Sequence, residues 1–377
     1  MNVPFFDMTR QYSDIREEID GAVRRVCASG RYIGGEELER FEAEAAAYAS
    51  VRFAVGLSSG TDALLATLLA LGVGEGDEVI TTPFTFIATA EVIAFLGAAP
   101  VFVDVREDTF NMDLDLLEAK ITPKTKCIMP VHLFGQMSDM HRINEIATQG
   151  TAAQGEGKNQ IAVVEDAAQA IGATIDGRMA CGFGTAGCLS FFPSKNLGAF
   201  GDGGMVLTNS EEVQREIRII KEHGSSVRYR HSRVGINGRL DALQAAVLRI
   251  KLKYLDALVE RRREHAAEYD RRLGSCVSVP ECTEGYGHVY NQYTIRTEHR
   301  DELRAYLAER GIPTAVYYPI PLHLQEVFGY LGYREGDFPV SESLCKEVLS
   351  LPIFPELSAE ERTHVIETII MFFDERD

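Results

Sequence analysis

Between Phe53 and Asp166 the chain alternates short apolar runs with amphipathic stretches, and this alternation restricts the fold more than any other feature. FAVGL leads into SSGTDALLATLLALGVG, DEVITT into a helix over ATAEVIAFLG, PVFVDV into one near LDLLEAKI, KCIMPVHLF into another, and IAVVED closes the series. Strands apolar on both faces, each followed by a helix, specify a mostly parallel sheet covered on both sides. After GGMVLTNS and a helix near EEVQREIRIIKEHG the pattern changes. DALQAAVLRIKLKYLDALVERRREHAAEYDRRLG reads as one long helix with a single apolar stripe. It leads into a smaller α+β unit with VYNQYTIR, DELRAYLAERG and a final helix. The expected architecture is α/β: a large domain over 1–250, N-terminal segment included, and a small C-terminal domain over 251–377. A chain of 377 residues is long enough for both.

Charge and cysteine usage narrow the functional classes. With 56 acidic against 38 basic side chains the net charge is −18, which opposes a nucleic-acid surface or an anionic membrane. No apolar run approaches a bilayer span, and MNVPFFDMTR lacks the basic and hydrophobic regions of a secretion signal, so a cytoplasmic protein is expected. The seven cysteines are odd in number and form no C-x-x-C pair, as expected of reduced thiols that pack in a core. The nine histidines show no H-E-x-x-H or comparable spacing, and no metal site is expected. TQGTAAQGEGKNQ, residues 148–160, is small, polar and glycine-rich and reads as a mobile surface loop inserted before the IAVVED strand.

Three strand-end features carry chemistry. Asp166 closes IAVVED, and Lys195 follows a second apolar strand in GCLSFFPSKNLGAFGDGG. Ligands of open α/β sheets collect at the carboxyl ends of strands, so an acid and an amine there can grip opposite ends of one small ring. The lysine can form a Schiff base with an aldehyde, while the acid keeps a pyridine nitrogen protonated. Upstream, Ser58-Ser59-Gly60-Thr61-Asp62 opens a helix and offers hydroxyls, backbone N–H groups and a positive dipole end to a phosphate. Taken singly, that segment is an N-cap and the two charges are surface groups. In this order they lay out a pyridoxal 5'-phosphate site. Gly182-Phe183-Gly184-Thr185-Ala186-Gly187 also fits G-x-G-x-x-G, but it precedes a strand instead of opening a helix, so no dinucleotide site is expected there.

The chain resembles the DegT-type nucleotide-sugar aminotransferases nearly end to end. GRYIGGEELERFE, SSGTDAL, TPFTFIATA, VEDAAQ, SFFPSKNLG, GDGG, RVGINGRLDALQAA and PTAVYYPIPLHLQ carry the likeness. The resemblance implies the fold of the aspartate aminotransferase-like pyridoxal-phosphate enzymes (fold type I) and a homodimer with shared sites. It implies that Lys195 holds the cofactor covalently, Asp166 pairs with its ring nitrogen, Phe86 stacks on the ring and Gln169 lies near the ring hydroxyl. Ser59, Gly60, Thr61 and Ser190 would hold the phosphate, with Asn237 reaching it from the partner subunit. Glutamate is the implied amino donor and a keto-sugar nucleotide the acceptor.

Within the family the chain is similar to the transaminase that aminates UDP-2-acetamido-2-deoxy-3-oxo-glucuronate for O-antigen and related surface polysaccharides. That likeness implies substrate contacts from Gly30, Tyr32, Ser194, Arg239, Tyr317 and Tyr318. One departure stands out: that enzyme has histidine where this chain has Tyr317, and PLHLQ is shared with relatives that aminate dTDP-3-oxo-6-deoxyhexoses, which makes such a sugar the alternative. Dehydratase relatives have lost the lysine, and a non-catalytic regulatory role is opposed by the retained site residues. KEHGSSVRYRHSRVGINGR, residues 221–239, gathers Arg228, Arg230, Arg233 and Arg239 in an acidic protein. Beside Asn237, it is expected to bind the oxygens of the substrate's pyrophosphate, and those of a hexuronate carboxylate where the sugar carries one.

Overall fold

A computed structural model describes residues 1–153 and 160–376. Its central sheet has seven strands: β1 (Phe53–Leu57), β2 (Glu78–Thr81), β3 (Ala99–Phe102), β4 (Thr125–Ile128), β5 (Ala162–Asp166), β6 (Ala186–Ser190) and β7 (Gly204–Thr208). They lie in the order β1-β7-β6-β5-β4-β2-β3, and only β7 runs against its neighbours. The carboxyl ends of six strands therefore open on one edge of the sheet. The start of β7 meets them there, with Gly204 opposite Leu57 on one side and Ser190 on the other.

The apolar runs expected to be buried on both faces are. Ile80, Ile128, Val163, Leu189 and Leu207 join one core; their neighbours Val79, Cys127, Val164, Cys188 and Val206 join the core on the opposite face. The period of two along each strand feeds two layers at once. Helices α1 (Gly60–Ala70), α2 (Ala88–Phe95) and α3 (Met140–Ala153) cover the sheet. A C-terminal unit pairs β8 (Tyr293–Arg296) antiparallel with β9 (Val348–Leu351). Its core takes Tyr293, Leu349, Leu307, Ile366 and Phe372. No helix among the described residues is long and apolar enough to cross a membrane.

Two expectations need correction. The long helix is two helices, α4 (Ala242–Leu252) and α5 (Leu255–Leu273). At the junction the Lys253 and Tyr254 N–H groups bond only three residues back, to Ile250 and Lys251 oxygens at 3.3 and 3.0 Å. The apolar stripe continues through the break, so periodicity cannot show it. The 148–160 stretch begins as helix: α3 runs to Ala153, and the Thr148 and Thr151 hydroxyls fold back onto the Asn144 and Ala147 carbonyls. Gly150 packs closely there, since a Cβ would lie 2.7 Å from Ile121 Cδ1 and that side-chain end would have to move; residues 154–159 of that stretch lie outside the described residues. The domain limit expected at 250/251 falls inside α4. We propose the break at 253–254 instead, with the N-terminal tail assigned to the C-terminal unit, since Val3 packs in its core and Arg10 bonds Glu361 through both carboxylate oxygens.

The G-x-G-x-x-G stretch receives an anion after all, one belonging to the chain. Glu165 is fully buried, and its carboxylate accepts from the backbone N–H groups of Cys181, Phe183 and Gly184 at 2.7–2.8 Å. His132 Nε2 donates to it at 3.0 Å, a tautomer fixed by the Ser138 N–H that His132 Nδ1 accepts. A Cβ on Gly184 would stand 2.5 Å from the Val163 carbonyl oxygen. Gly184→Ala is therefore expected to destabilise the fold by about 1–3 kcal/mol, the usual cost of overpacking. A urea unfolding curve with an unchanged midpoint would contradict this packing role.

Candidate active site

The strand ends enclose a cavity of about 540 Å³. Ser59, Gly60 and Thr61 enter after β1, Phe86 and Thr89 after β2, Asp166 and Gln169 from β5, Ser190, Ser194 and Lys195 from β6, and Tyr317 and Tyr318 from the C-terminal unit. Eleven of these twelve, all but Thr89, were singled out in the sequence, and they meet around one space. Gly30, Tyr32, Asn237 and Arg239 do not line it. Gly30 ends the Arg16–Ser29 helix, Tyr32 is exposed on the surface, and so is Asn237. Arg239 lines an adjoining polar groove of about 500 Å³ that shares Ser59 and Asp202 with the cavity.

Asp166 is held from both ends of its residue. Its backbone N–H donates to Pro130 O at 2.9 Å and its carbonyl accepts from His132 N–H at 3.0 Å. Its Oδ2 accepts from Thr89 Oγ1 at 2.7 Å and its Oδ1 from the Ala168 N–H at 3.2 Å. Burial pushes the carboxyl above its ordinary pKa, while the Thr89 hydroxyl and Ala168 amide pull the other way and favour the anion. Thr89 was not legible as a site residue; its signal is a hydroxyl on the otherwise apolar start of α2, three residues after Phe86.

Lys195 sits in the tight turn after β6, where its N–H donates to Phe192 O and Ala199 N–H returns to Phe191 O, both at 2.8 Å. Asn196 ties the turn to Val289 O at 3.0 Å. Burial lowers the lysine's pKa to about 8, against the opposing pull of Asp166. Gln169 is oriented by the Phe134 N–H on its Oε1 at 2.7 Å and donates to the Tyr318 hydroxyl at 3.3 Å. Phe86 is 56% exposed, large for an apolar ring, and it lines the cavity.

At the opposite side, Ser59 is the N-cap of α1, accepting from the Asp62 N–H at 3.0 Å, so the capping reading and the cradle reading are both correct. A Cβ on Gly60 would stand 2.7 Å from Ser190 Cβ, and one on Gly204 only 2.1 Å from Ser59 O. Backbone therefore closes directly on backbone, leaving the first turn of α1 open to an anion.

These residues fit pyridoxal phosphate: a buried carboxylate, a half-buried amine of lowered basicity, an aromatic face and a phosphate cradle on one space. When bound, that cofactor supplies an electron sink that carries an amino group between substrates. Asp166 would hold its ring nitrogen, Lys195 its aldehyde carbon, Phe86 its ring face, and Gly60, Thr61 and Ser190 its phosphate.

Comparison with known proteins agrees. The chain matches the model of the DegT/DnrJ/EryC1/StrS aminotransferase family over residues 13–370 and belongs to that family. It is 49% identical over 377 residues to a pleiotropic regulatory protein of Geobacillus stearothermophilus, with 99% of each chain covered. It is 44% identical over 356 residues to the UDP-2-acetamido-2-deoxy-3-oxo-D-glucuronate aminotransferase of Pseudomonas aeruginosa, covering 94% of this chain and 96% of the other. The crystal structure of S. venezuelae DesV in complex with a ketimine intermediate superposes with a TM-score of 0.94 at 42% identity, covering 99% of both chains. The protein is a pyridoxal-phosphate-dependent sugar aminotransferase.

Two outcomes test the geometry. Only the neutral amine attacks an aldehyde, and a pKa lowered to about 8 raises the neutral fraction well below pH 10.5. Uptake of pyridoxal phosphate by the apoprotein, followed by absorbance, is expected to accelerate as pH rises through about 8 and level off above it; a rise centred near 10.5 would refute the burial argument. Thr89→Val keeps the shape and removes the donor to Asp166. Loss of a hydrogen bond to a charged group, about 1.5–3 kcal/mol, is expected to weaken cofactor binding roughly ten- to hundredfold in a spectroscopic titration.

Proposed function

We propose that the enzyme transfers an amino group from L-glutamate to the 3-oxo group of a nucleotide sugar. The supporting observation is the joining of two hollows: the cavity with Lys195 and Asp166 continues through Ser59 and Asp202 into the groove lined by Arg239. An amino acid alone needs only the first, whereas a sugar joined to a nucleotide needs both. In this reading Lys195 also shuttles the proton between donor carbon and cofactor, its lowered pKa suiting a base near neutrality.

The site is completed by a second copy of the chain. Asn237 is exposed, with no side-chain hydrogen bond among the described residues, as expected of a group that acts in the partner's site. Arg239 donates to Glu222 at 3.0 Å but leaves its Nε buried without a partner. Arg228 and Arg230 stand on an exposed hairpin, Ser225–Val227 paired with Arg230–His231, with no carboxylate partner among the described residues. Such arginines would bind a pyrophosphate bidentately.

For the sugar, likeness to the Pseudomonas enzyme favours UDP-2-acetamido-2-deoxy-3-oxo-glucuronate, with the product entering surface polysaccharide such as O-antigen. The second reading is a dTDP-3-oxo-6-deoxyhexose, favoured by Tyr317 and by transaminases of dTDP-linked sugars that match this chain about as well. The regulatory name of the Geobacillus relative has less support, because a regulator has no need of a half-buried amine beside a buried acid.

Mass spectrometry of reactions with L-glutamate and a panel of UDP- and dTDP-linked 3-oxo sugars tests the proposal: an amino sugar nucleotide is expected, and no amine from any of them would overturn it. Arg239→Ala is expected to weaken sugar-nucleotide binding by about 1.5–3 kcal/mol while sparing the glutamate half-reaction. Mixed dimers of Arg239→Ala and Lys195→Ala chains should partly regain activity, since one site then has an intact Lys195 and the partner's intact Arg239. Folded heterodimers without recovery would rule out a shared site.

A further inference from the structure

We infer that Thr85 is a positioning residue of the cofactor site: its hydroxyl donates to Thr89, Thr89 donates to Asp166, and this chain of two hydroxyls holds Asp166 in the ionised form that pairs with the cofactor's ring nitrogen. This role is independent of which sugar accepts the amine and rests only on the pairing of Asp166 with that nitrogen.

Thr85 Oγ1 lies 3.1 Å from Thr89 Oγ1, which in turn lies 2.7 Å from Asp166 Oδ2. All three residues line the cavity. They are nevertheless 3%, 1% and 4% exposed, so bulk water does not compete for these bonds. Every contact lies within one chain, and a second copy is not needed to complete it.

The direction of the chain follows from counting hydrogens. A hydroxyl has one hydrogen to give and lone pairs to accept with, whereas an ionised carboxylate only accepts. The Thr89 hydrogen is therefore committed to Asp166, and the contact between the two threonines is made with the Thr85 hydrogen. Each donor polarises the next, so the bond to Asp166 is stronger than a lone threonine would make it. A neutral Asp166 donating to Thr89 would run the chain the other way. It would then end on the Thr85 hydrogen, buried and without an acceptor among the described residues. An unpaired buried donor is costly, so the pair favours the anion and opposes the burial that raises the Asp166 pKa.

Thr85 and Thr89 also flank Phe86, one on the loop after β2 and the other in the first turn of α2. Their bond could serve only to fasten that ring, and the test has to separate the two roles. Equilibrium dialysis of the apoprotein against pyridoxal phosphate and its deaza analogue, which has carbon in place of the ring nitrogen, does so. The wild-type protein is expected to bind pyridoxal phosphate more tightly than the analogue. Thr85→Val should weaken binding of pyridoxal phosphate about three- to tenfold, the worth of one hydrogen bond, and leave the analogue within about twofold. Thr85→Ser keeps the hydroxyl and should match the wild type for both ligands. Added to Thr89→Val, Thr85→Val should cost less than about twofold more, because it acts through a hydroxyl already gone. Thr85→Ala carries the same expectations if circular dichroism shows the valine variant misfolded. Unchanged binding of pyridoxal phosphate in Thr85→Val, an equal loss for the analogue, or losses that add in the double variant would overturn the role of Thr85 alone. Equal wild-type affinity for the two ligands would overturn it together with the pairing of Asp166.

Discussion

The site depends on keeping an amine and a carboxylate together where neither is well solvated. Burial drives the Lys195 pKa down to about 8 and raises that of Asp166, and each charge partly restores the other. The fold sustains this only because both groups sit at carboxyl ends of adjacent parallel strands, Asp166 directly opposite Cys188 in the β5–β6 register. Backbone bonds from Pro130 and to His132 fix the acid, the Thr89 hydroxyl orients it, and the turn from Phe191 to Ala199 fixes the lysine. The neighbouring Glu165, facing the other way along β5, has its oxygens satisfied by three backbone amides and His132, so the strand end carries two acids without their competing for one environment.

Lowered basicity alone does not mark a catalytic lysine in this molecule. Lys251 is buried and also has a pKa pushed down to about 8, and Lys221 is lowered too. Lys221 donates to Gly56 O and lies 3.6 Å from Glu42. Lys251 donates to the Gly198 carbonyl at the end of the very turn that presents Lys195. These two amines spend their hydrogens on backbone, bracing β1 and the turn. Lys195 alone among them opens on the cavity, and position separates the roles that burial makes similar.

Much of this was legible in the sequence because strand-end chemistry leaves local marks: an apolar run closing in Asp166, another followed by Lys195, and a Ser-Gly-Thr opening a helix. Residues whose role comes from a distant partner left none. The packing of Gly150 against Ile121 and the wrapping of Glu165 by the backbone amides of Cys181, Phe183 and Gly184 arise from contacts between segments far apart in sequence. Thr89 escaped for the same reason, since a hydroxyl in a helix is ordinary until the cavity forms. Gly30, Tyr32, Asn237 and Arg239 came from family likeness, and a single chain leaves them outside its own cavity.

The most direct test of the account is to load the protein with pyridoxal phosphate, reduce it with borohydride and map the labelled peptide by mass spectrometry. Because three lysines have lowered basicity, the experiment can fail in an informative way. The account requires the phosphopyridoxyl group on Lys195 and on no other lysine. Label on Lys251 or Lys221, or a protein that takes up no label, would contradict it.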